Sequence, residues 1–198
     1  MKPKQIVLLA SGAGSNVENI ATYFERDPNI TIAAVFTNQR DAKVLDRCNR
    51  LKINALYFNK QAFVDSDCVL NILKSLTPDL IVLAGFLLKI PENLVKAFPN
   101  QIINIHPALL PKYGGKGMYG MHVHNAVKEN KDTETGITIH YVNENYDEGA
   151  IIHQAKTPVL PEDSAETIAE KVHMLEYEHF PRVIAKLLSS PRNVRLQK

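Results

Sequence analysis

Residues 6–10 (Ile-Val-Leu-Leu-Ala) and 80–84 (Leu-Ile-Val-Leu-Ala) are apolar at every position. A strand with one wet face alternates apolar and polar residues. An unbroken run of this length needs cover on both faces, the condition met by a parallel sheet with helices packed above and below it. The stretches between such runs carry the matching helices, predicted over 16–26, 42–51 and 91–98, with Pro91 suited to a first helical turn. A further helix is predicted over 63–76, where Phe63, Val69, Ile72, Leu73 and Leu76 recur at near-helical spacing. Strands are predicted over 30–36, 55–58 and 101–106, the last stopped by Pro107.

From residue 107 the character changes. The proline- and glycine-rich segment 107–121 reads as a long loop, a kind of segment that in compact domains is usually functional or disordered. A helix over 122–130 follows, then strands over 135–142 and 150–157 joined by a polar turn with no helix between them. The last helix is expected to begin near Asp163, where Asp163 and Glu166 have capping-box spacing. It carries the stripe Ile168, Val172, Leu175, Val183, Ile184 and Leu187, with a kink expected at Pro181. The fold class is therefore α/β: a single domain over residues 1–188, built on an open, mostly parallel twisted sheet with helices on both faces, and a polar tail over 189–198.

Composition narrows the partners. The chain has 198 residues, 45% hydrophobic and 22% charged, enough to bury a core. With 23 Lys+Arg against 21 Asp+Glu it lacks the basic excess of a nucleic-acid binder. Cys48 and Cys68 have no metal-ligand spacing, and free thiols suit a reducing compartment. No run approaches the roughly 20 apolar residues a bilayer-spanning helix needs. Lys2 and Lys4 ahead of residues 6–10 make too short a segment for a secretory leader. These features predict a cytoplasmic protein with no nucleic acid, membrane or metal as partner; small-molecule substrates and a monomeric or homodimeric state are further expectations that composition does not decide.

Three motifs carry chemistry. Ser11-Gly-Ala-Gly-Ser-Asn16 follows the first strand and opens a helix, so its backbone N–H groups can face an anion. It has no Lys-Ser/Thr pair, hence no P-loop, and Val17 stands where a dinucleotide fingerprint needs its third glycine. A phosphate monoester fits these residues, and so does an ordinary turn capped by Ser15 or Asn16. In Asn104-Ile-His106-Pro107, residues two apart share a strand face, which places Asn104 and His106 together at a carboxyl end, where open α/β sheets bind ligands. Asp147-Glu-Gly149 lies in the turn between the last two strands, and a carboxylate brought beside His106 would favour the imidazolium. His122 and His124 read as helix-surface residues, and His140, His153, His173 and His179 show no pairing. The segment Gly114–Gly120 reads as a loop able to form an anion nest around Lys116, or simply to move.

In combination, Ser11-Gly-x-Gly-Ser-Asn16, Leu83-Ala-Gly-Phe86, Asn104-Ile-His-Pro-Ala-Leu-Leu-Pro-Lys-Tyr113, and Gly136-x-Thr-x-His140 leading to Asp147-x-Gly-x-Ile-Ile152 resemble the folate-dependent formyltransferases. The resemblance runs from Ile6 to about Leu188 and implies a Rossmann-like formyltransferase fold. It implies transfer of a formyl group from the co-substrate 10-formyltetrahydrofolate to the primary amine of a phosphorylated acceptor, through an oxyanion intermediate. It assigns Asn104, His106 and Asp147 to catalysis, Gly14, Ser15 and Asn16 to the substrate phosphate, and Glu176 to the ribose. Leu87, Leu88, Lys89 and Ile90, with Asn104, would bind the folate. Leu88 and Lys89 depart from the arginine-containing form of that segment, and the loop 114–121 is longer and richer in glycine than usual. A folate hydrolase, a sugar-nucleotide N-formyltransferase and a non-catalytic nucleotide-phosphate sensor stand as alternatives. A methionyl-tRNA member is expected to be longer and more basic.

Overall fold

A computed structural model of the chain describes residues 2–189. Seven strands pair in the order β3-β2-β1-β4-β5-β6-β7, with helices in the connections, as the unbroken apolar runs require. The described residues gather into two compact units, one of residues 2–103 with 185–189, the other of residues 104–184.

In the first unit, β1 (Lys4–Leu9) pairs in parallel with β2 (Ile30–Thr37) and with β4 (Leu80–Leu83), and β2 pairs in parallel with β3 (Ala55–Tyr57). Ile6, Val7, Leu8 and Leu9 are each 0% exposed, which is what an unalternating strand covered on both faces should show. The connections hold α1 (Ser15–Phe24), α2 (Val44–Leu51), α3 (Lys60–Val64), α4 (Cys68–Leu76) and α5 (Glu92–Ala97).

The helix expected over 63–76 is two helices, α3 and α4. Asn59 caps α3 by accepting from the Ala62 N–H at 2.8 Å, and the Ser66 hydroxyl donates to the Ala62 carbonyl and accepts from the Cys68 N–H. Ser66 thus offers the backbone local partners that compete with helical ones, and the helix breaks there.

The second unit begins at Asn104 within β5 (Ile102–His106) and holds α6 (Met121–Glu129), β6 (Glu134–Tyr141), β7 (Ile151–Pro158) and most of α7 (Ala165–Ser189). β6 and β7 form an antiparallel hairpin from Glu134↔Pro158 to His140↔Ile151, with a register shift between Ile139 and His140. Gly149, in the connecting turn, lies so close to β6 that a Cβ there would sit 1.6 Å from the Tyr141 carbonyl oxygen. Val127, Val159 and Ile168 form a buried cluster, with Tyr113 packed on it.

α7 starts one residue later than the capping-box spacing implied. The cap is Ser164, whose hydroxyl accepts from the Thr167 N–H at 3.2 Å, while Asp163 is drawn aside to the Leu160 N–H and Lys171. The helix continues through Pro181 to Ser189; the rest of the predicted tail lies outside the described residues.

Candidate active site

The strand tip of β5 presents Asn104 and His106 on one face, with Ile105 buried on the other. Asp147, 41 positions beyond His106, returns to them on the β6–β7 turn, held at φ 55°. Its Oδ2 lies 3.6 Å from His106 Nδ1 and accepts from the Gly115 N–H at 2.9 Å. Its Oδ1 lies 3.5 Å from both Asn104 Nδ2 and His140 Nε2. The three residues singled out from the sequence therefore meet, all within the second unit.

The proton positions follow from the acceptors. His106 Nε2 is 2.7 Å from the Tyr113 carbonyl, which can only accept, so the proton sits on Nε2 and Nδ1 turns toward the carboxylate. His140 Nδ1 donates to the Tyr141 carbonyl at 2.9 Å, and its Nε2 lies 3.2 Å from the Asn104 amide nitrogen. His140, 2% exposed, is thus a fourth member of the cluster that the sequence reading left unpaired. The available signal was strand alternation, which puts Thr138 and His140 on one face of β6. Thr138 turns to the backbone after β5, donating to the Ala108 carbonyl at 2.7 Å and accepting from the Leu110 N–H at 2.9 Å. The Leu110–Pro111 bond that follows is cis.

Burial, the strongest influence on His106, pushes its pKa below the ordinary histidine value. The carboxylate of Asp147 and the Tyr113 carbonyl act the other way without prevailing. The expectation that a carboxylate here would favour the imidazolium holds for the contribution of Asp147, which raises the pKa, and burial outweighs that contribution. For Asp147 itself burial is the largest influence and raises the pKa, but His140, His106 and the Gly115 N–H jointly hold it below the usual carboxylate value. One N–H of the 114–120 loop, that of Gly115, is thus spent on this carboxylate.

His124 also departs from expectation. It is 2% exposed, its Nδ1 has no hydrogen-bond partner among the described residues, and burial, with His173 and His106 acting in the same direction, lowers its pKa to about 4.

The glycine loop belongs to the first unit. Gly14 caps α1 in the left-handed region at φ 76°, and a Cβ there would lie 2.4 Å from Val44 Cγ2, so only glycine fits. The loop's carbonyls are occupied: Gly12 accepts from the Val44 N–H at 3.2 Å, Ala13 from Arg47 Nε at 2.7 Å, and Gly14 from the Glu18 N–H at 3.0 Å. The N–H groups of Gly12, Ala13, Gly14 and Ser15 donate to nothing among the described residues. Asn16 is buried. Ser11 ties the loop down, its hydroxyl donating to Asn38 Oδ1 at 2.6 Å and accepting from the Leu87 N–H at 2.9 Å. In the segment after β4, Leu87 and Lys89 are exposed, Leu88 is half-buried and Ile90 is buried. Glu176 is buried on α7 in the second unit.

A preorganised amide, imidazole and carboxylate at a strand tip is equipment for group transfer at a carbonyl, where charge develops on oxygen and a proton must move. Among the described residues no group of three or more His, Cys, Asp or Glu could hold a metal ion.

The chain belongs to the formyl transferase family, whose model matches residues 4–184. It is 38% identical over 186 residues to the phosphoribosylglycinamide formyltransferase of Haemophilus influenzae, covering 91% of this chain and 85% of that one. It is 36% identical over 190 residues to the chloroplastic phosphoribosylglycinamide formyltransferase of Arabidopsis thaliana, covering 93% of this chain and 65% of that longer protein. The crystal structure of phosphoribosylglycinamide formyltransferase from Anaplasma phagocytophilum superposes with a TM-score of 0.86 at 31% identity, covering 94% of this chain and 87% of the other.

Proposed function

We infer that this chain transfers the formyl group of 10-formyltetrahydrofolate to the primary amine of 5′-phosphoribosylglycinamide, a step of de novo purine biosynthesis. The observation that carries the reading is the convergence of Asn104, His106 and Asp147 in a chain 38% identical to a relative of that name.

The amine attacks the formyl carbon and negative charge grows on the formyl oxygen. Of the two Asn104 amide protons, one is on His140 and the other meets Asp147 only at 3.5 Å, a contact readily exchanged for an oxyanion. His106 spends its Nε2 proton on Tyr113 in the substrate-free site. An oxyanion alongside would offset the burial penalty and raise the ring's proton affinity, so His106 Nδ1 takes the proton that the attacking amine gives up and becomes the imidazolium as the intermediate forms. Asp147, held ionised, then faces an imidazolium across Nδ1 and helps move the amine's proton toward the departing N10. His140 keeps the amide and the carboxylate in register.

On this reading the N–H groups of Gly14, Ser15 and Asn16 receive the acceptor's phosphate and Glu176 its ribose, while Leu87, Leu88, Lys89 and Ile90 line the folate pocket. Residues 1–188 act as one formyltransferase domain, as a monomer or homodimer in the cytoplasm, with no nucleic acid as partner. No helix among the described residues is long and apolar enough to cross a membrane.

A spectrophotometric assay of formyl-donor consumption, run with and without the acceptor amine, tests the assignment. Consumption is expected only when the acceptor is present; equal consumption without it would make the protein a hydrolase.

A further inference from the structure

We propose that Arg47 is the positioning residue of the glycine loop and sets its affinity for the acceptor's phosphate, an inference that rests on reading Ser11–Asn16 as the phosphate site. Arg47 stands on α2, outside the loop, and its guanidinium holds two elements at once. Nε donates to the Ala13 carbonyl at 2.7 Å, while Nη1 pairs with Glu18 in the first turn of α1. Arg50, one turn further along α2, pairs with the second oxygen of the same carboxylate.

A trans peptide is planar, so the carbonyl of one residue and the N–H of the next point in opposite directions. Drawing the Ala13 carbonyl onto Arg47 therefore turns the Gly14 N–H to the other side of the chain. The Val44 N–H does the same one peptide earlier, fixing the Ala13 N–H through the Gly12 carbonyl. The two α2 contacts thus aim consecutive N–H groups at one side before any anion arrives, which removes an ordering cost from binding. Glycine's freedom makes this restraint necessary, because an unpinned peptide next to Gly14 can rotate and present its carbonyl to the phosphate instead.

Charge adds a second effect. Glu18 carries a carboxylate in the first turn of α1, where it would repel a phosphate at the same helix terminus. Arg47 and Arg50 neutralise it while leaving the N–H face open. A lysine at 47 would keep the charge, but a single ammonium has no planar fork to serve both the loop carbonyl and Glu18.

Steady-state kinetics on the full chain test this. Arg47→Ala is expected to raise KM for the acceptor about tenfold, the size of one charge-assisted hydrogen bond, with kcat and the KM for the folate donor within about twofold of wild type. Inorganic phosphate, expected to compete with the acceptor in the wild type, should lose potency in the same proportion. Arg47→Lys should fall between the two, and it keeps the test usable if the alanine variant folds poorly. Adding Glu18→Gln to Arg47→Ala should recover only a minor part of the loss; full recovery would mean that charge, and not loop positioning, was the cause, overturning the proposal. Phosphate that competes equally well in wild type and Arg47→Ala would overturn the role of Arg47 and leave the loop reading standing. Phosphate that does not compete in the wild type would sink the loop reading itself.

Discussion

The glycine loop of the first unit and the polar cluster of the second are built on opposite principles. The loop presents main-chain N–H groups, and its side chains and neighbours serve to turn carbonyls away: Val44, Arg47 and Glu18 each occupy one. The cluster presents side chains, and the main chain serves them: the Tyr113 carbonyl, the Tyr141 carbonyl and the Gly115 N–H fix His106, His140 and Asp147. A backbone site is indifferent to which small residue supplies a given amide but cannot tolerate a Cβ in the wrong place. A side-chain site tolerates backbone variation but not the loss of a functional group.

The largest effect that sharpens this contrast is expected for Asp147→Ala, which should lower kcat by at least about 10²-fold while leaving acceptor KM and the melting temperature near wild type. Near-normal turnover would remove Asp147 from the chemistry. Next, Gly14→Ala should act on binding instead. Its φ of 76° and the 2.4 Å approach of Val44 force the loop to shift, and acceptor KM should rise about tenfold or more. Gly12→Ala, with nothing within 4 Å of a new Cβ, should raise it far less. Equal behaviour of the two variants in a titration with the acceptor would break the backbone account of the loop.

His140→Ala should be milder than Asp147→Ala, lowering kcat about tenfold, because it releases Asn104 and removes one contact to the carboxylate without deleting a group assigned to the oxyanion. The smallest effect concerns pH. His124 is neutral in the folded state with a pKa of about 4, below its unfolded value near 6.5, so its contribution to stability is complete above about 6.5. It is lost as pH falls toward 4, where the unfolded chain takes up a proton that the buried ring refuses. The melting temperature of His124→Leu should fall less steeply than wild type over that interval; parallel curves would place the acid sensitivity elsewhere.

The sheet was legible in the chain because residues 6–10 and 80–84 admit no other burial, and each expected strand is present. Asn104 and His106 were legible because their spacing is local to one strand. His140 was not, because a histidine in alternation with Ile137 and Ile139 reads as a lone polar residue until the residue 36 positions away that it serves is placed opposite it. His124 was misjudged for a related reason: helical spacing gives a face, but only tertiary packing decides whether that face is wet. The division of the 63–76 stretch turned on Ser66, whose local hydrogen bonds outweighed the apolar period around it.

The hairpin that carries Asp147 gives the site a parity rule. Its arms alternate faces residue by residue, so lengthening β6 by one position ahead of His140 would turn that ring outward, whereas a change of two would keep it facing inward. One odd residue is already present: Ile139 pairs with His153 and His140 with Ile151, which leaves Ile152 as an extra step in β7. Deleting Ile152 would straighten the ladder and swing the turn, making that isoleucine the adjusting screw for any redesign that aims to move the carboxylate.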